Sequence, residues 1–238
     1  YLARDTLETV DVVVANHDLL MVDISMGGGV ILPAPENSFY CIDEAHHLPK
    51  KALSQFAAEH SWNQAVWALE KLPAVTDKIA ALTDKAELAN LADEAAAALL
   101  ESLHEWQFHL SEEPELKTTE SNESVWLWQD GQIPEALELT VSNTAVAARS
   151  LYKHINGLTD ALSAARRDKE QNSAQIDRLS TEFGVFRARV EQIAATWDLI
   201  STVPAEGEEP LAKWITRRID DKNDYFFHAS PISSASHL

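Results

Sequence analysis

Ile176, Leu179, Phe183, Phe186, Val190, Ile193, Trp197 and Ile200 follow one another at alternating steps of three and four residues. That spacing puts all eight on one stripe of an α-helix, and such a stripe must be buried. Ala148, Leu151, Ile155, Leu158, Leu162 and Ala165 repeat the pattern just upstream. The short polar joint at 168–173 leaves room only for a reversal, so the two stripes predict a long antiparallel helix hairpin packed at a shallow angle. A seam of this kind is a bundle core and carries no chemistry by itself. Glycine is scarce, at 7 of 238 residues, and alanine is abundant, which favours long helices elsewhere too.

Helical spacing extends over most of the chain between 50 and 203. One helix is expected after Pro49, another over 62–82 with a break near Pro73, and a third over about 84–110 with Leu88, Leu91, Ala95, Leu99, Leu103, Trp106 and Leu110 on one face. Trp106 and Trp197 belong to core seams. Trp126 and Trp128 alternate with Val125 and Leu127 before the turn at Asp130-Gly131, which predicts a short strand with one face outward.

The flanks read differently. Val12-Val13-Val14 has the composition of a strand buried on both faces. Asn16 is placed to cap a short helix through Met21, which Gly27-Gly28-Gly29 ends. A second buried strand is expected at 39–42. Trp214-Ile215-Thr216 and Tyr225-Phe226-Phe227-His228 predict two strands around a turn at Asp221–Asn223. The pattern implies a mainly α chain in which a helical excursion is inserted into a partial α/β domain. The expected division is 1–49, 50–210 and 211–238. Tyr1 is not an initiator methionine, and the chain reads as a piece of a longer protein.

The formal charge is −19, which opposes contact with a polyanion unless cations are gathered locally. Residues 84–138 carry 14 Asp/Glu against only Lys85 and Lys117. Residues 145–200 instead gather Arg166, Arg167, Lys169, Arg178, Arg187 and Arg189 near the expected hairpin tip. Two readings of that cluster stand: a track for a polyanionic strand, or a solvated helix end paired with Asp168, Glu170, Asp177 and Glu182. A single cysteine rules out an internal disulfide framework and fits a reducing cytoplasm. No apolar run is long enough to span a membrane.

Residues 39–47 read Phe-Tyr-Cys-Ile-Asp-Glu-Ala-His-His. An apolar run ending in two adjacent carboxylates is the layout in which one carboxylate holds Mg²⁺ and the next positions a water against a nucleotide γ-phosphate. Asp43 is the candidate Mg²⁺ carboxylate, acting through water because Mg²⁺ keeps much of its hydration shell. Glu44 is the candidate base, and His46 a candidate relay to neighbouring motifs. The competing readings are an acidic helix cap for the carboxylates and ordinary surface histidines for His46 and His47. Zinc on Cys41, His46 and His47 is disfavoured, since no second cysteine pair exists. Asn16 and His17 are either DNA contacts or local braces.

Asn16-His17 after a valine run, then Tyr40 to Pro49, then Tyr225–Ile232 resemble, in this order, the DinG/XPD family of superfamily-two DNA helicases, in its bacterial DinG-like branch. The resemblance implies a DEAH box at Asp43–His46, a helical Arch insertion after it, and a return to a RecA-like motor domain near 211. It implies use of ATP and Mg²⁺, movement 5′ to 3′ on single-stranded DNA, and a 4Fe–4S cluster in the parent protein, whose four ligand cysteines are absent here. The Walker A loop and second motor domain are also absent, so the chain alone is expected to be inactive. Two other readings stay open. One is a non-enzymatic helical module whose acidic face, residues 84–138, docks a basic protein. The other is an RNA-directed DEAH motor.

Overall fold

The computed structural model describes residues 7, 10–117, 122–168, 173–205, 207–219 and 223–233. The expected hairpin is its longest feature. In chain order the helices are α1 (His17–Ser25), α2 (Leu48–Phe56), α3 (Trp62–Lys71), α4 (Pro73–Thr83), α5 (Ala86–Glu112), α6 (Glu138–Asp168) and α7 (Ser173–Ser201). Helices α6 and α7 pack along their lengths, and α5 lies against α6. The break at Pro73 is a helix start, because proline lacks the N–H that a continuing helix would need. Every residue of the stripe from Ile176 to Ile200 is buried, as are the six from Ala148 to Ala165.

The strands are β1 (Ala58–Ser61), β2 (Glu123–Leu127), β3 (Leu211–Arg218) and β4 (Asp224–Pro231). They form one antiparallel sheet in the order β1–β4–β3–β2. The expected pairing of 214–216 with 225–228 is present, with Trp214 opposite His228 and Ile215 opposite Phe227. Residues 221 and 222 of the expected turn lie outside the described residues. Phe227 is the joint between sheet and helices. Its ring lies 5.0 Å from Trp197, 5.2 Å from Trp106 and 5.1 Å from His60. In β2 the outward pair is Val125 and Leu127, while Trp128 is buried and Trp126 packs on the core.

At the start of α3, the Ser61 hydroxyl accepts from the N–H of Gln64 at 3.1 Å and donates to Asp224. Asp224 also accepts from the N–H of Asn63 at 2.9 Å. The N-terminus of α3 is thereby tied to the first residue of β4, 161 positions away from Asn63. At Gly131 (φ +65°) the chain passes so close to β3 that an added Cβ would lie 1.8 Å from the carbonyl oxygen of Leu211.

Two expectations are corrected. Residues 12–14 and 39–42 do not form strands. Val12, Val14 and Phe39 are 78%, 94% and 107% exposed. A strand of the doubly buried kind exists only where neighbouring strands complete its ladder. Among the described residues neither run has one. The two runs instead both line an open groove of about 700 Å³. The helix after Asn16 does form, and continues past Met21 to Ser25.

Candidate nucleotide and nucleic-acid site

The turn that carries the acidic pair is built from its own backbone. The Asp43 carboxylate accepts from the N–H of Glu44 at 3.0 Å. Glu44 adopts the left-handed region (φ 50°, ψ 39°), costly for a residue with a Cβ by roughly 1–2 kcal/mol. A short 3₁₀ turn, Ala45–His47, follows, closed by the N–H of His47 to the carbonyl of Glu44 at 2.9 Å. The His46 Nδ1 sits 3.2 Å from a Glu44 carboxylate oxygen, and the His46 and His47 rings lie 4.0 Å apart. From the first helix, His17 Nε2–H donates to the carbonyl of Asp43 at 2.9 Å. Asn16, next to it, accepts from the N–H of Leu19 at 2.8 Å and caps α1. Asn16 and His17 therefore both have local structural work, and His17 connects the two sequence landmarks.

Asp43, Glu44 and His46 are all exposed. Two adjacent, water-accessible carboxylates fit a hydrated Mg²⁺, which is bound through one or two carboxylates and substrate phosphates. Ligand atoms of Glu44, His46 and His47 lie within 4.8 Å of one another, but two imidazoles and a carboxylate suit a transition ion better than Mg²⁺. The exposed Cys41 is the chain's single cysteine and cannot hold a four-thiolate cluster.

The basic cluster is dispersed. Arg166 pairs with Asp177 across the hairpin at 2.9 Å. Arg167 donates to the carbonyl of Ser163 at 3.3 Å. Arg187 and Arg189 lie roughly 15 and 18 Å along α7 from Asp177, at ~1.5 Å per residue. Arg189 reaches Gln192 at 3.3 Å. Lys169 lies outside the described residues.

Several polar groups carry structural roles that no sequence pattern announces. Asp23 is 1% exposed, and its carboxylate accepts from the N–H groups of Gly29, Val30, Ile31 and Leu32 at 2.6–3.2 Å. Burial by itself would raise its pKa, but these four donors outweigh it and hold the carboxyl below the ordinary range. His60 is buried against Phe227, and burial pushes its pKa down to about 4. His228 stacks on Trp214 with centroids 4.8 Å apart and planes 3° from parallel. Burial lowers its pKa too, although Glu59 at 3.1 Å pulls the other way. Lys213, also buried, donates to the carbonyl of Thr202 at 2.7 Å, just past the end of α7. Cations at a helix C-terminus complement its dipole.

No family model matches the chain. Over 238 residues it is 33% identical to the ATP-dependent DNA helicase DinG of Photobacterium profundum, an alignment covering 97% of this chain and 33% of that protein. It is 26% identical over 246 residues to the protein of the same name from Salmonella choleraesuis, covering 100% and 33%. The Escherichia coli protein of that name is 25% identical over 226 residues, covering 91% and 30%. The chain thus spans about one third of the length of the curated relatives it matches. Nearly end to end, then, this is a DinG-like segment, similar to about one third of the length of the helicases that bear that name.

Proposed function

We propose that the chain is the part of an ATP-dependent DNA helicase that carries the DEAH carboxylates and an Arch-like helical insertion. The observation that carries this reading is the 97% coverage by a DinG helicase, together with Asp43 and Glu44 side by side on an exposed turn. Asp43 would hold the hydrated Mg²⁺ that accompanies ATP, an ion that would offset charge on the phosphates. Glu44 takes the proton of, or positions, the attacking water. His46, at hydrogen-bond distance from Glu44, fixes the carboxylate's orientation. Residues 1–49 act as part of the first motor domain, 50–210 as the Arch-like insertion and 211–238 as the return. The sheet joins β1 and β2 of the insertion to β3 and β4 of the return, so the Arch moves with its root as one lid over single-stranded DNA. Movement 5′ to 3′, and a cluster elsewhere in the parent protein, follow from the resemblance.

The test is hydrolysis by a DinG-length protein carrying this chain, wild type beside Glu44→Gln, with and without single-stranded DNA. The expected result is DNA-stimulated turnover that drops by about 10²-fold or more in the variant while ATP still binds. Equal turnover in the two proteins would overturn the assignment. A second reading, an acidic docking module, is favoured by one feature. The outer face of α5 lines up Glu87, Glu94, Glu101, Glu105 and Glu112, all exposed, with Leu91 and Phe108 exposed among them. Capture of a basic partner that is lost on charge reversal of this face, with no change in DNA affinity, would support it.

A further inference from the structure

A cleft of about 400 Å³ lies between α1 and α2, with Met21 among its apolar walls and Asp18, His47, Lys50, Lys51, Ser54 and Gln55 as its polar lining. It begins one residue beyond His46 of the DEAH turn. In a chain of net charge −19, two adjacent lysines and a histidine opening on one cleft are a local reversal of sign.

Their place on the helix sharpens the point. Lys50 and Lys51 occupy the first turns of α2, whose first turn carries no acid. A helix N-terminus is already the positive end of its dipole and favours anions, so lysines there add like charge to like charge. Lys51 is balanced by Asp18 at 2.5 Å. Lys50 is exposed and has no ion-pair partner among the described residues. Lys50 thus breaks the helix-dipole rule with no ion pair among the described residues to offset it, the kind of departure expected at a functional or strained position.

We propose that this cleft binds a backbone phosphate of single-stranded DNA, held by Lys50, Lys51 and the His47 ring, with the Ser54 hydroxyl as a further donor. The cleft offers cations and neutral donors, and its one ring, His47, is taken up by the phosphate, which fits a contact that positions the strand without reading it. The inference rests on the helicase reading and adds to it a path for the strand beside the DEAH turn. Asp18 acts as a resident competitor, occupying Lys51 until a phosphate displaces it.

The test measures binding of a fluorescent oligo(dT) strand to the DinG-length protein across a salt series. In the double variant Lys50→Ala/Lys51→Ala, the slope of log affinity against log salt should flatten by about 0.7, since each neutralised phosphate of a single strand contributes roughly that much. Lys50→Arg/Lys51→Arg should keep the wild-type slope. Asp18→Asn should tighten binding at low salt, an outcome a misfolded protein could not give. An unchanged slope in the double alanine variant, with DNA-stimulated hydrolysis intact, would overturn this inference and leave the helicase reading standing. A double variant that loses affinity for pyrophosphate but not for the strand would assign the cleft to free phosphates and overturn the DNA assignment. Wild-type protein that binds no strand would overturn both readings together.

Discussion

The imidazole of His17 donates to the backbone carbonyl of Asp43 at 2.9 Å, across 26 residues. It thereby braces the DEAH turn from the N-terminus of α1. Asp43 is exposed and His17 half-buried, so the bond competes with water and contributes on the order of 1 kcal/mol. Its effect falls on the position of the acidic pair more than on stability. His17→Ala in the DinG-length protein is expected to lower turnover about fivefold with little change in melting temperature. His17→Gln, which keeps a donor, should recover part of the loss. An unchanged rate in His17→Ala would show that the turn holds its shape unaided.

Asp23 gathers four backbone N–H groups onto one carboxylate and so defines the loop after α1. Asp23→Asn keeps the size but loses the charge and half the acceptors, and buried donors left without partners cost about 1–3 kcal/mol. Hydrogen exchange should show the amides of residues 29–32 losing protection while those of α6 and α7 keep theirs. Equal protection in both proteins would refute the role.

His60 ties stability to pH. Its folded-state pKa, about 4, lies below the ordinary 6.5, so below pH 6.5 the unfolded chain takes up a proton that the native protein does not. The stability held by neutral His60 is complete above about pH 6.5 and is lost as pH falls towards 4, at up to ~1.4 kcal/mol per pH unit. His228, lowered by burial as well, acts in the same direction. Urea unfolding of the chain at pH 7 and pH 4.5 should show the loss, and His60→Phe should reduce it. An identical pH dependence in that variant would locate the effect elsewhere.

Gly131 has no room for a side chain. A Cβ there would meet the Leu211 carbonyl at 1.8 Å, and the residue sits at φ +65°. Gly131→Ala must therefore push β3 away from the turn that follows β2, at a cost of about 2–4 kcal/mol. By contrast Gly184, with open space around its Cβ position, should accept alanine and gain roughly 0.5–1 kcal/mol of helix stability. Thermal unfolding of the two variants checks both signs.

The helical part of the protein was legible because its determinants are local. Residues from Ile176 to Ile200 bury themselves wherever their helix finds a partner, and Asn16, Pro73 and Gly27 act on the backbone beside them. That Asp43 and Glu44 stand side by side was legible as well, since they are adjacent in sequence, while their exposure on a strained turn was not. What tertiary structure alone decided was set by contacts distant in sequence. The valine run and residues 39–42 have strand composition yet find no ladder among the described residues, because a ladder belongs to its neighbours as much as to the strand. The two tryptophans near the end of β2 turned inward because the register with β3 placed Trp126 opposite Ile215 on the core face. Asp23, His60 and Lys213 look like ordinary surface residues in the chain. Only packing surrounded them with the donors, rings and carbonyls that make their burial tolerable, and only the approach of α1 to α2 turned Lys50 and Lys51 into the lining of a cleft.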